Sequence, residues 1–200
     1  MKQNPAEFSP KQWKKLHRQQ NLEKRQSLVQ EVCQQLSTAI QKNLLNHLSP
    51  LENIDIISFY WPFKGEPDLR PLMKNIASEG TRMALPVVAE KNTPLRFMAW
   101  QPGDPLKKGV LNIPIPEKET LVSPDVILAP AIGFDRQLYR LGYGGGYFDR
   151  TLATFKQRPE GQKPHVIGIA HSAAELSTIH PETHDIKLDV IITEKAIIER

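Results

Sequence analysis

DVILAPAIGFDRQLYRLGYGGGYFDRTLATFK, residues 125–156, sets an apolar run ahead of a polar loop, a glycine cluster and a helical pattern. A continuous apolar run such as 125–131 suits a strand buried on both faces of a parallel sheet, and HVIGIA, 165–170, is a second. The helix predicted between them, 146–156, supplies the crossover that parallel neighbours need. Working outward, IDIISFY (54–60) reads as a strand stopped by Pro62, and 68–77 as a short helix with Gly80 behind it. RMALPVV (82–88) and LRFMAW (95–100) read as strands joined by a polar turn, and LDVIITE (188–194) as the closing strand. Upstream, Ser9-Pro10 supplies an N-cap and a first helical position. Trp13, Leu16, Leu22, Leu28, Val29, Val32, Leu36 and Ile40 then recur at helical spacing to about Leu48, as one broken helix or two successive ones. Residues 103–124, with four prolines and Pro102 directly ahead, predict an irregular surface connection. The alternation predicts an α/β fold: a single three-layer domain over 1–200 with a mostly parallel central sheet flanked by helices. The N-terminal helices are expected to pack on that sheet, and 1–8 to be flexible.

Composition narrows the partners. A chain of 200 residues with 40% hydrophobic and 24% charged content is long enough to bury one sizeable core. A net charge of +4 favours anionic partners without saying which. Cys33 is the single cysteine, so an intramolecular disulfide and a cysteine zinc cage are excluded, and the thiol reads as a packed side chain. Neither a secretory leader nor an 18-residue apolar run is present, and the expectation is a cytoplasmic protein that engages no membrane. The chain also lacks an aromatic RNP-type strand and a GXXG between helices, so no nucleic acid is expected despite the basic N-terminal helices.

Gly142, Gly144, Gly145 and Gly146 place four of the eleven glycines within five positions, at the start of a helix that follows a buried strand. Free backbone N–H groups and the positive end of a helix dipole meet there, which suits an anion. The cluster is not a Walker A loop, since no G-K-[ST] exists, and the dinucleotide fingerprint is broken at Tyr147. Spacing alone leaves two readings open, a phosphate cradle and a tight turn needing positive φ. On the first reading, valine at Gly144 or Gly145 would be excluded both by the dihedral and by loss of room for phosphates. His180 and His184 have the spacing of two metal ligands on a helix, but Pro181 and the missing adjacent glutamate argue against a zinc site. His171, after the strand 165–170, reads as an ordinary polar residue at a strand end.

The segment LAPAIGFDRQLYRLGYGGGYFDRTL resembles the signature of the 5-formyltetrahydrofolate cyclo-ligase (5,10-methenyltetrahydrofolate synthetase) family, roughly G-F-D-x-x-G-x-R-L-G-x-G-x-G-Y-Y-D. KKLHRQQNLEKR, FYWPFKGEPDLRPL, RMALPVV, LRFMAW, GVLNIPIPE and HDIKLDVIITE agree in order, so the resemblance runs from Lys14 to Glu194. Leu138 stands where the family usually has glycine, Phe148 replaces the second tyrosine, and His17 replaces a leucine.

The resemblance implies an enzyme that closes 5-formyltetrahydrofolate to 5,10-methenyltetrahydrofolate with ATP and Mg2+, releasing ADP and phosphate. It also implies a small-molecule folate substrate, with or without a polyglutamate tail, and a monomer or weak homodimer. Carried onto this chain, it implies ATP contacts at Lys14, Arg18, Arg140, Gly142, Tyr143, Gly144, Gly145, Gly146 and Tyr147, with Arg140 and Tyr147 closest to the chemistry. Tyr60, Trp61, Glu66, Tyr147 and Phe148 would hold the folate, and Asp149 and Asp185 the metal, with Asp189 as the substitute for Asp185. Physically, Lys14 and Arg18 share a helix face, Asp149 falls in a helix's first turn, and flat pterins suit stacking rings plus one carboxylate. Each position has a plainer reading beside the functional one: solvated cations, a dipole-stabilised aspartate, core tryptophans, a turn glutamate. Two rivals remain, a sugar-phosphate isomerase or CoA-transferase relative on a similar scaffold, which would need no ATP, and an RNA-binding module.

Overall fold

The computed structural model describes residues 8–199, so all but Phe8 of the expected flexible segment lies outside the described residues. The long N-terminal pattern forms two helices, α1 (Pro10–Gln26) and α2 (Gln30–Leu48). Ser9 caps α1 in a full capping box with Gln12. Next come β1 (Ile56–Ser58), α3 (Arg70–Ser78), β2 (Arg82–Val87) and β3 (Arg96–Ala99). The proline-rich stretch is more ordered than its composition predicts, forming an antiparallel pair, β4 (Leu106–Lys108) with β5 (Pro114–Pro116). Pairing at Pro114 and Pro116 is possible because a two-stranded ribbon leaves one edge of each strand free of ladder bonds. The quoted segment yields β6 (Val126–Pro130), a small antiparallel pair β7 (Gly133–Phe134) and β8 (Arg140–Leu141), the glycine loop, and α4 (Tyr147–Phe155). β9 (His165–Ile169), β10 (Val190–Ile192) and β11 (Ile197–Glu199) complete the chain. The strand expected to close the sheet is therefore followed by one more, which pairs antiparallel to it.

Seven strands join in the order β11-β10-β9-β6-β1-β2-β3. The inner pairs are parallel, and β3 and β11 run antiparallel at the two edges. Strand alternation divides the core in two: Val126 and Leu128 of β6 face Ile40 and Leu44 of α2 and Met73 of α3, while Ile127 and Ala129 face Leu152 and Phe155 of α4. That division makes three layers, with α2 and α3 on one face and α4 on the other. α1 takes a different position: its buried residues are Lys14, Asn21 and Arg25, and none of its side chains belongs to either core cluster.

Chain direction across the sheet reverses between β1, which leads to β2 on one side, and β6, which leads to β9 on the other. The loops leaving the carboxyl ends of β1 and β6 therefore diverge and open a crevice, the place where open α/β sheets bind ligands. Residues 59–69 form the first loop, and the second contains the glycine cluster.

Candidate functional site

α1 crosses this crevice and ties its loops together. Lys14, Arg18, Asn21 and Arg25 are spaced four, three and four apart, which puts them on one helix face. Lys14 Nζ donates to Asp185 Oδ2 at 2.7 Å, and Arg18 Nε to the Gly142 carbonyl at 2.8 Å. Asn21 Nδ2 donates to the Ile132 carbonyl at 3.0 Å, and Arg25 Nε to the Lys64 carbonyl at 2.9 Å. The buried face of α1 is thus polar, and its partners are loops at the carboxyl end of the sheet. A face of this kind satisfies groups that α1 would otherwise strand beneath it.

The glycine loop lies directly before α4. Gly146 is the N-cap in the left-handed region (φ 64°), with no side chain capping the first turn, so the leading N–H groups of α4 have no side-chain cap. Gly144 also has a positive φ of 93°. Gly142 and Gly145 do not require that freedom; what they need is space. A Cβ on Gly142 would stand 2.5 Å from Arg140 Nη1, and one on Gly145 would stand 2.8 Å from the Tyr147 ring. The tight-turn reading therefore has a physical basis at Gly144 and Gly146, while Gly142 and Gly145 leave room for Arg140 and Tyr147.

Arg140 is buried, donates from Nη2 to Asp149 Oδ2 at 3.2 Å, and lies over the Phe148 ring at 4.8 Å. Its Nε is buried with no hydrogen-bond partner, as is Nε of Arg150, whose Nη2 reaches the Gly145 carbonyl at 2.6 Å. Burial pulls the Arg140 guanidinium down from its ordinary range, and Asp149 and Asp185 oppose this. Arg18 feels the same two carboxylates, so Asp149 and Asp185 share one electrostatic environment although each is paired with its own cation. Asp185 is held low by the Lys14 ammonium and the Glu182 N–H, against a larger opposing cost of burial. Glu182, His184 and Asp185 also bring three potential ligand atoms within 4.8 Å of one another. His180 lies in a non-helical segment at φ 50° and packs its ring edge-on against Trp13, so the His180–His184 spacing does not form a helical ligand pair. Asp189 is engaged elsewhere, accepting from the Val166 N–H.

The loop after β1 is built around Glu66, whose side chain is 3% exposed. Oε2 accepts from the Phe63 N–H at 2.9 Å, and Oε1 from the Tyr143 hydroxyl at 2.8 Å. Arg25 Nη2 donates to that hydroxyl at 2.5 Å and lies 4.0 Å from Oε1. Burial pushes the Glu66 carboxyl up to about 7, with Arg25, Tyr143 and the Phe63 N–H resisting. Tyr60 is a core residue whose hydroxyl donates to the Pro67 carbonyl, so it shapes this loop from beneath. Trp61 is half-buried, edge-on to Trp100 at 5.8 Å, with Arg70 over its ring. Phe148 packs on the α4-side core, and Tyr147 lies under the Arg150 guanidinium at 5.0 Å.

The structure thus gathers Lys14, Arg18, Arg140, the glycines, Asp149 and Asp185 on one side of the crevice and Trp61 and Glu66 on the other. It sets Tyr143 apart from the phosphate-side residues, because its side chain reaches across to Glu66. Asn21 is missed by a reading of the sequence, although its helical spacing from Lys14 and Arg18 is visible there; Arg25, two turns beyond Arg18, reads from the sequence as structural, and it bonds the Lys64 carbonyl and the Tyr143 hydroxyl. His171 also gains weight. It is buried, Nε2 lies 3.3 Å from the Gly65 carbonyl, and Nδ1 has no partner. With Asn21, Arg25, Ala131 and Ile132 it lines a cavity of about 80 Å³ at the ends of β6 and β9.

This fold and crevice define an open α/β domain of the kind whose ligands bind at a topological switch point. Comparison with known proteins gives the family: residues 10–194 match the model of the 5-formyltetrahydrofolate cyclo-ligase family, and the chain belongs to it. The 5-formyltetrahydrofolate cyclo-ligase of Escherichia coli K12 is 27% identical over 183 residues, covering 88% of this chain and 98% of that one. The Mycolicibacterium smegmatis protein of the same name is 31% identical over 144 residues, 68% of this chain and 72% of its own. Among solved structures, 5,10-methenyltetrahydrofolate synthetase of Aquifex aeolicus superposes with a TM-score of 0.77 at 29% identity, covering 93% of this chain and 92% of its own. The Mycoplasma pneumoniae synthetase gives 0.72 at 27% identity, covering 90% and 98%. The chain is therefore an enzyme of the cyclo-ligase class that acts on a folate and forms its methenyl derivative.

Proposed function

We propose that the chain uses ATP and Mg2+ to cyclise 5-formyltetrahydrofolate, with ATP phosphates on the glycine-loop side of the crevice and the pterin on the Glu66 side. The observation that carries this reading is the meeting, at the switch point, of an N-terminus of α4 without a side-chain cap with the cations Lys14, Arg18 and Arg140. Backbone N–H groups and guanidinium forks are the donors that a phosphate chain needs.

Chemically, a formyl amide oxygen does not leave as hydroxide, so it must first be made into phosphate. The formyl oxygen attacks the γ-phosphorus of ATP as the N5 lone pair moves toward the formyl carbon, and ADP leaves. N10 then adds to that carbon and loses its proton, and the C–O bond breaks to release phosphate and leave the methenyl bridge. The enzyme's share is positioning and charge neutralisation. Arg140 and Arg18 hold phosphate oxygens in line, and the N–H groups of 144–147 follow the loop around them. Trp61 presents an aromatic face beside the pterin, and Glu66 accepts from the pterin's amino edge. Asp149 and Asp185 are the carboxylates that fit a hard divalent ion, being only 18% and 12% exposed and both acting electrostatically on Arg18 and Arg140. Bound there, Mg2+ would neutralise charge on the phosphate oxygens.

A mixture of the protein, 5-formyltetrahydrofolate, ATP and Mg2+ should develop the methenyl chromophore with one ADP formed per methenyl group. Chromophore without nucleotide, or ADP release without folate turnover, would remove the phosphorylation route. Chelator that leaves the rate unchanged would remove the metal.

A further inference from the structure

Glu66, to which the pterin contact is assigned, is closed off in this structure. Its side chain is 3% exposed and both carboxylate oxygens already accept protein hydrogen bonds. The group bonded to Oε1 is the hydroxyl of Tyr143, a residue 41% exposed overall and carried by the opposite loop. Tyr143 lies between Gly142, whose carbonyl is held by Arg18, and Gly144, at φ 93°. Its hydroxyl accepts from Arg25 and its ring packs 5.9 Å from that of Phe63, so three segments far apart in sequence converge on one side chain.

We propose that Tyr143 is a gate linking the two substrate sites: its hydroxyl occupies Glu66 until ligand binds, and its release reshapes the glycine loop. The proposal rests on the folate reading of Glu66 given above. A donor on the pterin edge can reach Oε1 only if the Tyr143 hydroxyl withdraws. Withdrawal turns the backbone between Gly142 and Gly144, and so moves the N–H groups that follow. Conversely, a phosphate chain that draws those N–H groups around itself pulls Tyr143 off Glu66. Each ligand then favours the loop arrangement the other needs, and by linkage the coupling is equal in both directions. Tyr143 acts here as a positioning residue, because its hydroxyl touches Glu66 and Arg25 and no reacting atom.

Calorimetry of 5-formyltetrahydrofolate binding, with and without a non-hydrolysable ATP analogue and Mg2+, tests the gate in three proteins. In the wild type the analogue should tighten folate binding about tenfold, the scale set by one hydrogen bond to a charged group. Tyr143→Phe keeps the ring and its packing but removes the bond. Folate should then bind without nucleotide as tightly as the wild type binds with it, and the analogue should add nothing. Glu66→Gln should weaken folate binding in both conditions, which tests the underlying pocket separately. If Glu66→Gln weakens binding while Tyr143→Phe retains the wild-type affinity and coupling, the gate is wrong and the pocket stands. Weaker folate binding in Tyr143→Phe would make the tyrosine a ligand contact and overturn the gate. Unchanged affinity in Glu66→Gln would remove the pocket and the gate together.

Discussion

At the scale of single residues, Glu66 and Leu138 show how environment redirects side chains. The Glu66 carboxyl is raised from an ordinary 4.5 to about 7, mainly by burial. A carboxyl raised on folding binds its proton more tightly in the folded chain than in the unfolded one. The stability this gives is complete below pH 4.5 and is lost as pH rises through about 7. The shift corresponds to about 3 kcal/mol at full ionisation. Glu66→Gln, which cannot ionise, should therefore gain on the wild type by several degrees of Tm between pH 5 and pH 8. Parallel melting curves across that range would show that burial does not dominate at Glu66. Leu138 occupies a turn at φ 70°, which explains why the family pattern has glycine there. In this chain the side chain is 1% exposed and part of the α4-side core. Burying a leucine is worth about 1.5–3 kcal/mol, against about 1–2 kcal/mol for a left-handed residue, so the departure is tolerated.

At the scale of elements, the glycine loop and α1 carry the site. Valine at Gly144 or Gly145 is unfavourable for two separate reasons. Gly144 has φ 93°, with only ordinary contact at 3.5 Å to Arg18 Cζ, whereas at Gly145 a Cβ would meet the Tyr147 ring at 2.8 Å. Gly144→Ala should therefore cost stability by dihedral strain, about 1–2 kcal/mol. Gly145→Ala should displace Tyr147 and reduce affinity for an ATP analogue at least tenfold with a smaller change in Tm. Calorimetry paired with melting curves separates the two, and equal nucleotide affinity in Gly145→Ala and wild type would oppose a phosphate role for this segment. α1 misleads a reading based on apolar periodicity. Trp13, Leu16 and Leu22 recur at helical spacing, yet they are only half-buried, while Lys14, Asn21 and Arg25 face inward. Apolar spacing identifies a helix, but the side that is buried depends on what the helix lies against, and α1 lies against loop carbonyls.

For the whole molecule, the cations of α1 and the first turn of α4 are joined through loops from both sides of the switch point. A ligand bridging them should stabilise the fold as a unit. With nucleotide analogue and Mg2+ at about a hundred times the dissociation constant, the gain should be about 2.7 kcal/mol, and Tm should rise accordingly. A Tm that does not respond to saturating nucleotide would argue against ATP binding to the folded chain.

The sequence by itself determined the α/β class, the buried strands at 126–130 and 165–169, the helix after the glycine cluster and the family, because these rest on local periodicity and on a long contiguous motif. Through that resemblance it singled out Lys14, Arg18, Arg140 and Glu66, which the fold brings to the loops at the switch point. Only the tertiary structure decided the pairing of Tyr143 with Glu66, the inward turn of Arg25, the left-handed Leu138 and the antiparallel strand β11 at the edge. Apart from β11, which folds back on β10 only five to nine residues away, these depend on neighbours distant in the chain. Tyr143 and Glu66 are 77 residues apart, and hydrogen bonds over such a separation leave no local pattern to read.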